Sequence, residues 1–363
     1  AELIREKSAR GETTVLGLAT GSTPIEIYRE LIRMHAEEGL DFSKVVTFNL
    51  DEYYPMPPDS IHSFRRYMDE NLFDGVNIPP QNIHFPRGDV PRDQIEAESA
   101  KYEQLIREAG GIDLQILGIG KTGHIGFNEP GSGFESRTRI IALDTLTRRD
   151  PAPDFFGEHN VPLEAVTMGV ATIMEAHEIA LLATGEHKAA IVKRAVEGQI
   201  SPDVAATYLQ EHPNATFYVD QAAAAELTRI ATPWVVTEVS WTRELEIRAL
   251  IWLSEKTGKS LLKLDALDYR ENHLSALLAR YGSPGPLNGE VFNALLAKIR
   301  GKSRLPSNER IIVFSPHPDD DVISMGGMLN KLHQNGIAII VAYQTSGNIA
   351  VFDHEVRRYL DFL

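Results

Sequence analysis

Thirteen residues, Gly118 to Pro130 (GIGKTGHIGFNEP), place a histidine, a carboxylate and four glycines in one short stretch. His124 can exchange a proton near neutral pH, and Glu129, five residues on, could hold one imidazole nitrogen and leave the other free for proton transfer. The glycines permit tight backbone and close approach of a ligand. A lone histidine in a glycine-rich loop can also be purely structural. A second carboxylate, Asp51 in NLDEYY, suits a general base; the alternative is that Asp51 and Glu52 are the paired acids of a solvated turn. In TGSTP, Gly21, Ser22 and Thr23 offer hydroxyls and backbone N–H groups to an anion, or simply cap a helix. Lys188, in TGEHKA, opposes the dipole of the helix that it opens, which an anion beside it would explain and a snorkelling surface lysine would not need. Near the end, SPHPDDD sets His317 and Asp320 three apart, a pair able to hold a divalent metal such as zinc, with Asp319 left to act on a metal-bound water. Acid-rich helix starts are also common caps.

The elements that would carry these residues alternate. Short apolar runs at 14–18, 45–50, 114–117, 165–169, 179–184 and 215–219 read as strands, and helical spacing falls between them. This predicts a doubly wound, Rossmann-like α/β domain whose loops leave the carboxyl ends of parallel strands at one sheet edge. A helix is expected over 59–73 with Phe64, Tyr67, Met68 and Leu72 in the core, and the acids after Leu50 are expected in a turn. From 234 to 302 the pattern is helical and split by the glycine and proline cluster Gly282 to Gly289. A single βαβ unit then follows from Ile311. The expected organisation is a first domain over 1–230, a helical connector over 231–307 and an α/β fragment over 308–363. The chain is expected to begin inside a helix and to stop partway into its second domain.

Bulk properties narrow the functions. With 43% hydrophobic and 24% charged residues and no apolar run long enough to cross a bilayer, no membrane role is expected. A net charge of -15 argues against nucleic acid, although a few lysines or helix N-termini can still hold a small anion. With no cysteine, disulfides and thiolate chemistry are excluded.

GLATGSTP, VVTFNLDEYYPMP, LGIGKTGHIGFNEPGSGFESRTRI and TGEHKA, in that order, resemble glucosamine-6-phosphate deaminase over about residues 12–230. The resemblance implies the fold of the sugar-phosphate isomerase and deaminase group, a cytoplasmic homo-oligomer, and no cofactor. The implied reaction opens the ring of an amino-sugar phosphate, moves a proton from C2 to C1, and expels the amine to leave fructose 6-phosphate. In those terms Asp51 is the base, His124 with Glu129 opens the ring, and Gly21, Ser22, Thr23 and Lys188 hold the phosphate. SPHPDDDVISMGG resembles the opening of the LmbE/PIG-L de-N-acetylases, implying zinc on His317 and Asp320 with Asp319 as base in a complete domain. Its third ligand would lie beyond residue 363, so no competent deacetylase is expected here.

The sequence departs from the first pattern at informative places. Thr122 stands where the family carries an aspartate, and a threonine cannot ionise. Asp154 precedes Phe155-Phe156 where the family has a phosphate-binding arginine; Arg148 and Arg149 are the candidate substitutes. Arg139 keeps one of two basic positions linked to regulation, whereas the other is Ile141. These departures motivate a second reading, a sugar-phosphate-binding domain without turnover or with altered specificity. A third is an isomerase or lactonase of the same fold acting on another sugar.

Overall fold

Thr14 to Leu18 is buried along its whole length, as expected of a strand covered on both faces, and the first unit is built outward from it. The computed structural model describes residues 1–299, 305–306 and 309–346, and the chain divides into two units, Ala1–Ser240 and Trp241–Leu363. In the first unit the strands are β1 (Thr14–Leu18), β2 (Val45–Asn49), β3 (Asp51–Tyr54), β4 (Ile83–His84), β5 (Leu114–Gly118), β6 (Arg139–Ala142), β7 (Glu164–Thr167), β8 (Glu178–Ala183) and β9 (Ala215–Val219).

Six of them form a parallel sheet in the order β4-β2-β1-β5-β8-β9. Counted by their own succession this is 3-2-1-4-5-6, the doubly wound order whose direction of winding reverses between β1 and β5. Helices Ile25–Glu38, Ile95–Glu108 and Ala189–Glu197 cover it, and Tyr28, Phe48, Met68, Leu117, Ile173 and Leu181 are among the side chains sealed in its core. The Rossmann-like α/β class expected from alternation is therefore the fold observed.

Three local expectations are corrected. The acids after Leu50 are not in a turn: Asp51–Tyr54 is β3, paired antiparallel with β7 in a second, three-stranded sheet ordered β3-β7-β6. Leu50 joins the two sheets, its N–H donating to the Leu18 carbonyl and its carbonyl accepting from Met168 N–H. The helix expected from residue 59 begins at Phe64, because the Ser63 hydroxyl accepts from Arg65 N–H and caps it there. Met68 and Leu72 are buried, whereas Phe64 and Tyr67 are only partly so.

In the second unit, helices Arg243–Thr257, Ala266–Glu271, Ser275–Tyr281 and Pro284–Ile299 bury Leu250, Leu253, Leu274, Leu277, Leu287 and Val291. The glycine and proline cluster does not split this region throughout: Gly282, left-handed at φ 74°, ends one helix, and Pro284, Gly285 and Pro286 form the first turn of the next. Proline is tolerated there because first-turn N–H groups have no helical acceptor. β10 (Arg310–Ser315) and β11 (Ala338–Tyr343) pair in parallel around helix Asp320–Gln334, the βαβ unit read from the sequence.

Candidate active site

Four loops leave adjacent parallel strands at the same edge: Leu50-Asp51 after β2, TGSTP after β1, GIGKTGH after β5 and TGEHK after β8. Neighbouring strands lie about 4.8 Å apart, so the four loop origins span roughly 14 Å, the scale of a sugar phosphate and its contacts. The winding reversal falls between two of them, the position where open α/β sheets bind ligands.

Asp51 is buried, with 6% of its surface exposed. Loss of hydration and the neighbouring Glu52 charge push its carboxyl up to about 8, offset only in part by the Phe127 N–H. Gly126 makes this packing possible: at φ 54° it occupies a conformation that favours glycine, and a side chain would begin 3.4 Å from Asp51 Oδ2 and 3.0 Å from Thr167 Oγ1. Glu52 does different work. Its carboxylate accepts from the Ser63 hydroxyl at 2.7 Å and from the N–H groups of Tyr53, Phe64 and Arg65 at 2.9, 3.1 and 3.1 Å, fastening β3 to the start of the next helix.

His124 Nδ1 faces three oxygens: Thr122 Oγ1 at 2.9 Å, Thr147 Oγ1 at 3.3 Å and Glu129 Oε2 at 3.5 Å. Burial works against the Glu129 charge, yet the imidazole, the Thr147 hydroxyl and the Asp144 N–H together hold its carboxyl below the ordinary range. A hydroxyl can donate or accept and so does not fix the tautomer, whereas an ionised carboxylate facing Nδ1 favours a proton on that nitrogen and leaves Nε2 able to accept one. Gly120 lies against the other edge of the ring; a Cβ there would stand 2.1 Å from Nε2.

The TGSTP turn ends in helix Ile25–Glu38. Among the described residues, the backbone N–H groups of Gly21, Ser22 and Thr23 make no hydrogen bond, while the Gly21 carbonyl accepts from the Tyr67 hydroxyl at 2.7 Å. Lys188 precedes helix Ala189–Glu197, and its ammonium donates to the Ile119 carbonyl at 2.8 Å. This brings the β8 loop onto the β5 loop, and burial lowers the lysine pKa.

Of the arginines considered as substitutes at the phosphate, Arg148 is committed elsewhere, whereas Arg149 makes only an exposed ion pair. Arg148 Nη2 donates to the Glu158 and Val161 carbonyls at 2.8 and 3.2 Å, and Arg149 faces the Glu158 carboxylate at 3.6 Å. Arg139 ties the loop internally, to Asn128 Oδ1 and Ser132 Oγ. Asp154 is exposed on a 540 Å³ cavity bordered by Tyr67, Phe155 and Phe156. Thr147 and Thr167 were missed from the sequence; they lie 23 residues after His124 and 116 after Asp51, and no local spacing marks them.

In the second unit His317 Nδ1 and Asp320 Oδ2 lie 2.9 Å apart, with Asp319 just before helix Asp320–Gln334. The pair supplies two donors, and among the described residues no group of three histidines or carboxylates is placed to hold a metal. A zinc site needs at least three protein ligands, so these residues do not by themselves fit one.

Parallel winding, a reversal point and a carboxylate and imidazole beside it define a Rossmann-like α/β fold with a candidate acid–base site at its sheet edge. Residues 1–218 match the profile of the glucosamine-6-phosphate isomerases/6-phosphogluconolactonase family, and the chain belongs to that family. Residues 312–359 match the GlcNAc-PI de-N-acetylase profile. A glucosamine-6-phosphate deaminase-like protein of Bacteroides thetaiotaomicron is 46% identical over the whole of this chain, which spans 57% of that relative. Glucosamine-6-phosphate deaminase 2 of Giardia intestinalis is 50% identical over 64% of this chain and 86% of its own length. A solved monomeric glucosamine-6-phosphate deaminase superposes with a TM-score of 0.59 at 42% identity, covering 62% of this chain and 91% of that one.

Proposed function

We propose that the first unit converts glucosamine 6-phosphate and water to fructose 6-phosphate and ammonia. The observation that carries this reading is Asp51, a buried carboxylate with a raised pKa at the carboxyl end of a central strand, on the same sheet edge as His124. In this reading Nε2 of His124 moves the proton between the ring oxygen and the C1 hydroxyl while Glu129 holds Nδ1. Asp51, ionised, takes the C2 proton and delivers it to C1. The resulting C2 imine adds water and releases ammonia. The N–H groups of Gly21, Ser22 and Thr23, with the Ser22 and Thr23 hydroxyls and the Lys188 ammonium, receive the phosphate. No cofactor takes part in these steps.

Ammonia release from glucosamine 6-phosphate, measured against an Asp51→Asn control, tests the proposal. Equal release by both proteins would sink it. The second reading, binding without turnover, is favoured by Thr122, which supplies no charge to the imidazole. The Glu129 carboxylate at the same nitrogen supports the first, because the ring keeps one ionised partner. Binding of the sugar phosphate without ammonia, together with turnover appearing in Thr122→Asp, would select the second. A neutral sugar phosphate turned over in preference would instead point to an isomerase or lactonase. We further propose a cytoplasmic homo-oligomer from the resemblance alone, against the monomeric state of the 42% identical solved deaminase; light scattering that gives the chain's own mass of 40.4 kDa would overturn the assembly.

A further inference from the structure

The phosphate-binding groups described above include one cation, Lys188, for a dianion, and Arg148 is engaged with the Glu158 and Val161 carbonyls. One further cation belongs to the same loop. Lys121 follows Ile119 by two residues, and the Ile119 carbonyl is where the Lys188 ammonium rests, at 2.8 Å. Lys121 Nζ is paired with Asp150 Oδ1 at 2.5 Å, and both side chains are about half exposed, so nothing in the packing prevents their separation. Through the Ile119 carbonyl, the Lys188 ammonium is docked on the same β5 loop that carries Lys121.

We propose that Lys121 is a second phosphate-binding cation of this site, and that Asp150, its ion-pair partner, is an internal competitor for the phosphate monoester dianion. Binding exchanges one ion pair for another: the Asp150 carboxylate returns to water, and the Lys121 ammonium turns to the phosphate oxygens. The exchange favours a doubly charged phosphate over a single carboxylate, because two nearby cations attract the dianion more strongly. It also makes Lys121 and Asp150 determinants of specificity for phosphorylated over unphosphorylated sugars. The inference rests on the phosphate site assigned under the proposed function, but its test does not require turnover.

The test is calorimetric titration of the whole chain with inorganic phosphate and with glucosamine 6-phosphate. Lys121→Ala is expected to weaken both by on the order of fivefold, the scale of one partly exposed ion pair. Asp150→Asn is expected to tighten both, and the gain should shrink when Lys121→Ala is also present, since a freed lysine is its source. Unchanged phosphate affinity in Lys121→Ala would overturn the proposal, as would a full Asp150→Asn gain in the double variant, which would reduce Asp150 to a repelling charge. Lys121-dependent phosphate binding without ammonia release would leave this inference standing and remove the reaction.

Discussion

At Asp51, burial fixes the pH at which a base can operate. A carboxyl with a pKa of about 8 is mostly neutral at pH 7, so the competent form of the free protein grows as pH rises through that value. For glucosamine 6-phosphate, kcat/KM is therefore expected to climb to a plateau above pH 8, and a limb near the ordinary carboxylate pKa would contradict the assignment. Stability should move the other way. The unfolded carboxyl titrates near about 3.9, so between that pH and about 8 the folded state holds the extra proton and loses stability as pH rises. Asp51→Asn cannot ionise, and its melting temperature is expected to exceed that of the parent by more at pH 8.5 than at pH 5; an equal gap at both would show that Asp51 is not strained. At His124 the remaining carboxylate is decisive. Glu129→Gln is expected to reduce kcat by roughly 100-fold, the lower scale of general acid–base catalysis, and Thr122→Asp in that background to restore part of it by returning a charge to Nδ1. No recovery would mean that Glu129 acts through the loop fold rather than through the ring.

At the level of elements, loop shape matters as much as loop chemistry. Gly120→Ala would place a methyl group 2.1 Å from the imidazole, so the ring or the loop must move; activity should fall steeply while the melting temperature changes little, because the displaced groups face the site rather than the core. Glu52→Gln tests the joint between β3 and helix Phe64–Asn71. It replaces a four-bond acceptor by an amide with one oxygen and should cost about 1–3 kcal/mol in denaturant unfolding. Five of the six parallel strands could be read from the sequence as short apolar runs, and His124 and Asp51 could be read because each follows such a run; β4, two partly buried residues, could not, and the run at 165–169 proves to be β7 of the antiparallel sheet. β3 could not. Asp51–Tyr54 opens with two acids, and its strand geometry comes from β7, more than 100 residues away, against which Asp51 registers with Thr167. Thr147 was hidden for the same reason: it reaches His124 only after the chain has passed through β6 and returned in helix Thr145–Arg149. Spacing along the chain reports local periodicity, and both contacts are made by tertiary pairing.

Across the whole molecule, a net charge of -15 is compatible with the anion site proposed above, because its cations and N–H groups are concentrated on loops of adjacent strands. Among the described residues no helix is long and apolar enough to cross a membrane. The two profile matches fall in different units, residues 1–218 in the first and 312–359 in the second. The second unit can be tested for metal separately from the reaction proposed for the first. His317 and Asp320 present two donors to a metal, and the His317 imidazole is already bonded to the Asp320 carboxylate at 2.9 Å. Among the described residues these two ligands have no third, and two alone leave zinc mostly hydrated and weakly held, so dialysis against a chelator is expected to change neither ammonia release nor the melting temperature, and His317→Ala to be silent in both. Titration with zinc should give no tight one-to-one binding. Stoichiometric zinc that is lost in His317→Ala would show instead that the chain completes the ligand set, and N-acetylglucosamine derivatives would then become the substrates to assay for acetate release.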